Sequence, residues 1–141
     1  MSKKIVFYTD GSYNEANDKI GSSFVALDSN GKIIREQKYN IPPENLSQYR
    51  NVAGEIYAVA FAIEYAIKND YEEIVINCDY IGCKKWADGE WKAKNILTRN
   101  YQRYVKSRRL NRTIEFEIVK GHSGNKLNDR ADLLAKSVVG L

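Results

Sequence analysis

Lys4-Ile5-Val6-Phe7-Tyr8-Thr9-Asp10-Gly11-Ser12 is the stretch that decides how the rest of the chain is read. Ile5 and Phe7 fall on one face of an extended segment, Val6 and Tyr8 on the other. With both faces apolar, the segment predicts a central strand covered from both sides. The run ends in a carboxylate, so a buried strand carries Asp10 to the rim of a core. Gly11 then admits a turn or the close approach of a ligand, and Ser12 offers a hydroxyl and an amide.

Working outward, 141 residues predict one domain spanning 1–141, large enough to bury a core without disulfide or metal staples. The composition is globular, with 43% apolar and 28% charged residues and only two prolines. No apolar run approaches the roughly 18 residues needed to span a bilayer, and the amino terminus leads straight into the first strand. A soluble, cytoplasmic monomer with no membrane association and no obligatory protein partner is expected. Cys78 and Cys83 are too few for a disulfide framework and form no C-x-x-C pair for zinc, so they read as reduced thiols.

Net charge is +4, and the excess is concentrated. Between Lys84 and Arg112 stand ten basic residues against two acids, Asp88 and Glu90. Such a run fits a polyanion, although a solvated helix face has the same composition.

After Ser12 a polar, turn-like segment leads to a second strand over 21–27. Asn30-Gly31 predicts a hairpin, so a third strand over 32–39 should return antiparallel. Pro42 and Pro43 stop it. A long helix from about Val52 to Asn69 follows, with Ala53, Ile56, Ala60, Ile63 and Ile67 on one stripe and Glu55 in the first turn. A Glu there also reads as a partner of the helix dipole. Glu73 to Cys78 is another buried strand ending in an acid, Asp79. A short helix over 80–87, a basic helix from about Thr98 to Arg109 and an alternating strand over 113–120 come next. Asn128 is the expected N-cap of a final helix that carries Asp132 in its first turns. The order βββ-α-β-α-α-β-α implies an α/β fold: a five-stranded mixed sheet, a three-strand antiparallel meander plus two parallel strands, flanked by helices.

In that arrangement Asp10 and Asp79 end neighbouring parallel strands, and Glu55 and Asp132 can pack against the same sheet edge. Clustered carboxylates repel one another unless cations neutralise them. All-oxygen ligand sets select Mg²⁺ or Mn²⁺, and two such ions can clamp the attacking and leaving oxygens of a phosphodiester.

These segments resemble the type 1 ribonucleases H over nearly the whole chain, and with them the ribonuclease H-like fold. Tyr8-Thr9-Asp10-Gly11-Ser12 is similar to the family's first-strand motif. Asn51-Val52-Ala53-Gly54-Glu55 resembles its helix acid, and Cys78-Asp79-Tyr80 its fourth-strand acid. Lys120-Gly121-His122-Ser123-Gly124 and Asn128-Asp129-Arg130-Ala131-Asp132 resemble its histidine loop and final acid. Trp86 to Lys94 is similar to bacterial members that often carry an N-terminal hybrid-binding domain, which is not expected here. The lysine-rich insertion found in some members is missing, and Arg50 and Val52 stand where other members often have small polar residues.

The resemblance implies an endoribonuclease that hydrolyses the RNA strand of RNA–DNA hybrids with two Mg²⁺ ions, or Mn²⁺ in their place, leaving 5′-phosphate and 3′-hydroxyl ends. It implies that Asp10 bridges both ions, that Glu55 and Asp79 complete one and Asp132 the other. His122 would serve proton transfer or product release. Gly11, Ser12 and Asn51 would sense 2′-hydroxyls, while Asn95 and the basic residues Lys92, Lys94, Arg99 and Arg103 would hold the DNA strand. A non-catalytic hybrid-binding module and a resolvase- or integrase-like nuclease on the same fold are the alternative readings.

Overall fold

In the computed structural model, which describes residues 3–121 and 124–141, the opening segment becomes strand β1, Lys4–Asn14. It runs past the point where its apolar content ends, so Asp10 lies inside the strand and not at its end. The reason is that its two neighbours pair it over different lengths. Parallel strand β4, Glu73–Cys78, makes its last pair at Tyr8 and Asn77. Antiparallel β2, Lys19–Leu27, continues to the pair of Asn14 with Lys19. Asp10 is thus held by β2 while its other side faces the gap beyond the last pair with β4.

Strand β3, Ile33–Ile41, returns along β2 through the expected Asn-Gly turn. The Asp28 side chain accepts from the amides of Asn30 and Lys32, and Gly31 takes the left-handed conformation at φ 82°. Strand β5, Thr113–Ile118, lies parallel to β4, giving the order β3-β2-β1-β4-β5. The expected meander plus two parallel strands is the observed sheet.

Helices α1, Asn51–Lys68, α2, Ile81–Ala87, and α3, Ile96–Arg108, cover one face, and α4, Lys126–Val139, covers the other. The alternation in β1 explains both contacts. Ile5 and Phe7 are fully buried with Ile63 and Ala62 of α1, whereas Val6 and Tyr8 pack with Val25, Leu27 and Ala131 of α4. Each fully buried Ile or Phe contributes roughly 1.5–3 kcal/mol relative to exposure. Among the described residues no helix is long and apolar enough to cross a membrane.

At two helix starts the structure changes the reading of a named residue. A 3₁₀ turn at Ser47–Tyr49 precedes α1, which begins at Asn51, so Glu55 stands beyond the first turn and is only 4% exposed. The dipole reading of Glu55 therefore lapses, because that effect is confined to the terminal turn. At α4 the N-cap is Asn125, whose side chain accepts from the amides of Leu127 and Asn128. Asn128 lies within the helix and is buried, because the earlier Asn reaches the free amides first.

Candidate active site

Glycine contacts bring α1 onto the sheet at the level of Asp10. A Cβ on Gly11 would lie 2.1 Å from the amide nitrogen of Glu55, and one on Gly54 would lie 2.6 Å from the carbonyl oxygen of Gly21. The backbone of α1 therefore rests directly on β1 and β2, a closeness no side chain permits. Gly11 admits a helix here, not a turn. Asp79 follows the last residue of β4, and its carboxylate packs against the backbone of Gly121, where a Cβ would stand 3.2 Å from Oδ2.

As a result, ligand oxygens of Asp10, Glu55 and Asp79 all lie within 4.8 Å of one another. Asp132 is outside this trio but lines the same cleft of about 490 Å³, together with Gly11, Ser12 and Asn51. Its carboxylate pairs with Lys136 one helical turn on, at 3.0 Å. Sequence reasoning misses Lys136, although its i,i+4 spacing from Asp132 is a visible signal. His122 lies outside the described residues.

The cluster is costly as it stands. Asp10 is 3% exposed, and burial, aided by the charge of Asp79 and contact with Asp132, pushes its carboxyl up to about 7. Burial also raises Glu55 well above the ordinary range, with the charge of Asp10 adding to it. Both carboxyls of the pair are thus raised, and their mutual repulsion favours uptake of a proton by the pair when no cation is bound. Among the described residues, Glu55 Oε2 is buried with no hydrogen-bond partner. A buried, unpaired carboxylate oxygen facing two other acids fits a hard divalent cation: the donors are all oxygen, and the positive charge removes the repulsion.

Eight of the ten residues of the basic run fall into two groups. Lys84, Lys85, Arg108 and Arg109 are engaged in ion pairs, the last with Asp88 at 2.9 Å. Among the described residues, no ion pair engages Lys92, Lys94, Arg99 or Arg103. Lys92, Arg99 and Arg103 line a groove of about 810 Å³ between the 88–95 loop and α3, and Lys94 lines an adjoining one beside Trp86 and Trp91. Asn95 caps α3: its side-chain oxygen accepts from the Thr98 amide at 2.9 Å. Tyr101 and Tyr104 are packing residues, the hydroxyl of Tyr101 donating to the Cys83 carbonyl and that of Tyr104 to the Glu64 carboxylate.

A mixed sheet that gathers carboxylates where β1 and β4 part, with a basic groove on the same chain, defines the class of acid-cluster nucleases on a ribonuclease H-like sheet. The chain belongs to the RNase H family, whose model matches residues 2–139. It is 30% identical to the Ribonuclease H of Prosthecochloris aestuarii over 145 residues, covering 99% of this chain and 97% of that one. It is 28% identical to the Ribonuclease H of Chlorobium luteolum with the same coverage. Among solved structures, RNase H1 of the archaeon Halobacterium salinarum superposes with a TM-score of 0.82 at 20% identity, over 97% of this chain and 98% of that one. LC11-RNase H1, solved in complex with an RNA/DNA hybrid, superposes with a TM-score of 0.79 at 20% identity over 96% of each chain.

Proposed function

We propose that this chain, acting as one catalytic domain, hydrolyses the RNA strand of RNA–DNA hybrids, with Asp10, Glu55, Asp79 and Asp132 holding two Mg²⁺ ions. Mn²⁺ would serve in their place. The observation that carries this reading is the buried trio of acids with the unpaired Glu55 Oε2, set in a chain of the RNase H family. A module that only bound hybrids would be more stable without such a cluster. Bound there, the two ions would supply Lewis acidity, lowering the pKa of an attacking water and stabilising the leaving 3′-oxygen, so that the products carry 5′-phosphate and 3′-hydroxyl ends.

The chain's own residues hold and orient. Asp10, fixed on β1 by its amide contact from Gly11, is central, with Glu55 and Asp79 on one side and Asp132 beside it. Lys136 holds the Asp132 carboxylate and offsets part of the negative charge of the cleft. Gly11, Ser12 and Asn51, in the same cleft, read 2′-hydroxyls of the RNA strand. Lys92, Lys94, Arg99 and Arg103, with Asn95 at the start of α3, hold phosphates of the DNA strand. His122 assists proton transfer or product release. The hybrid carried by LC11-RNase H1, a protein of the same fold, supports this choice of substrate.

Cleavage of an end-labelled hybrid with and without Mg²⁺ tests the reading. Metal-dependent cutting of the RNA strand alone is expected, abolished by Asp10→Asn. No cleavage in any divalent metal would overturn it, and preferential cutting of branched DNA would favour a resolvase.

A further inference from the structure

Ser22 and Ser23 are adjacent on β2, fully buried, and point to opposite faces of the sheet. Each spends its hydroxyl on a helix backbone. Ser22 Oγ donates to the carbonyl of Gly54 at 2.7 Å, and Ser23 Oγ donates to the carbonyl of Ala131 at 2.6 Å. Those carbonyls belong to the residues immediately before Glu55 and Asp132. In register, Ser22 stands opposite Gly11 and Ser23 opposite Asp10. One dipeptide thus ties the peptide units that lead into both helix-borne acids to the strand that carries the central one.

We propose that Ser22 and Ser23 are positioning residues of the acid cluster, fixing the turns of α1 and α4 that carry Glu55 and Asp132 relative to Asp10. The inference rests on the hybrid-hydrolase reading above. Apolar contacts are non-directional, so even a closely seated helix keeps some freedom for small rotations and shifts on the sheet. A hydrogen bond to one named carbonyl removes that freedom. The carbonyls of Gly54 and Ala131 are within helices and have their i+4 amides as partners, so the serines are not needed to satisfy them. Alanine, slightly smaller and with no polar atom to desolvate, would be the cheaper residue at both positions if filling space were the whole task. At the same level the backbones meet closely: a Cβ on Gly21 would lie 2.5 Å from the Ala135 carbonyl of α4, as Gly54 meets Gly21 from α1. Helices seated this tightly on both faces transmit a small shift directly to their acids.

The test compares Ser22→Ala, Ser23→Ala and the double variant with Ile63→Val, a trimming of the fully buried core on α1 away from the cluster. Mg²⁺ binding to the hybrid-free protein is measured by calorimetry, and kcat and KM are measured on a hybrid. Each serine variant is expected to bind Mg²⁺ about tenfold more weakly and to lose kcat by a similar factor with KM for hybrid unchanged, as for supports of metal ligands elsewhere. Ile63→Val should lower Tm while leaving both readouts in place. Ser22→Thr, which keeps the hydroxyl, should bind Mg²⁺ better than Ser22→Ala. Serine variants that lower Tm yet retain wild-type Mg²⁺ affinity and kcat would overturn the positioning role. If an alanine variant does not fold, the Thr variant decides: a folded Ser22→Thr with Mg²⁺ affinity tenfold below wild type despite its hydroxyl would also overturn it. A wild-type protein that neither binds Mg²⁺ nor cuts hybrid would instead defeat the underlying reading, so the two failures are told apart.

Discussion

Replacing Asp10 with Asn should make the metal-free protein more stable while destroying its activity, and the size of the gain follows from the burial of the cluster. Asp10 titrates at about 7 in the folded chain against 3.8 for the free side chain, burial being the main cause. The folded state therefore binds more protons than the unfolded state between those values. For an acid raised in this way, the contribution to stability is intact below about pH 3.8 and is lost as pH rises through about 7. At 1.36 kcal/mol per pKa unit the full loss is on the order of 4 kcal/mol. Asn carries no such charge, and its side-chain oxygen can still accept from the Gly11 amide, as Asp10 Oδ1 does at 2.9 Å. In EDTA at pH 8, Asp10→Asn should gain up to about 4 kcal/mol, or roughly 10 °C in Tm for a chain of this size. At pH 4.5 the gap should fall to about 1 kcal/mol, and Mg²⁺ should narrow it at pH 8 by stabilising the wild type alone. Thermal and urea unfolding at both pH values, with and without Mg²⁺, would measure this. An Asp10→Asn protein melting below wild type at pH 8 in EDTA, or a gap that does not shrink on acidification, would refute the reasoning.

Changing Lys92, Lys94, Arg99 and Arg103 together to Gln should raise KM for hybrid at moderate salt and reduce the log–log salt slope of binding by up to about one for each phosphate no longer neutralised, with kcat at saturation held within a few fold. An unchanged slope would mean that these charges only face solvent. Gly11→Ala places a methyl 2.1 Å from the Glu55 amide, so α1 must lift; about 3 kcal/mol of stability and nearly all activity should be lost, and a variant with wild-type urea midpoint and rate would contradict the backbone contact. A DNA duplex with a single ribonucleotide should be a very poor substrate, whereas a run of about four or more should be cut, because sugars are read on consecutive nucleotides. Equal cutting of both duplexes would rule out that reading.

Periodicity and punctuation were enough for the element order and for the sheet. Two-sided apolar runs at 5–8 and 74–78 could only be central strands, Asn30-Gly31 could only close a hairpin, and helical connections made β1, β4 and β5 parallel. The acids were legible because each stood at the same place relative to such a run or to a helix start. Local patterns could not say where pairing would stop. Asp10 lies inside β1 because β2 pairs six residues further along it than β4 does, a difference that depends on partners distant in sequence. Nor could the sequence distinguish Asn125 from Asn128 as the cap of α4, since both are good caps and only the start of the helix decides between them. The seating of α1 on Gly11 and Gly21, and the hydroxyls of Ser22 and Ser23 reaching two helices from one strand, join residues about 30 to 110 positions apart. Such contacts leave no periodic trace. A chain read by itself displays its acids; the distances between them are set by how closely helix and strand backbones meet, and only the packed tertiary structure fixes that.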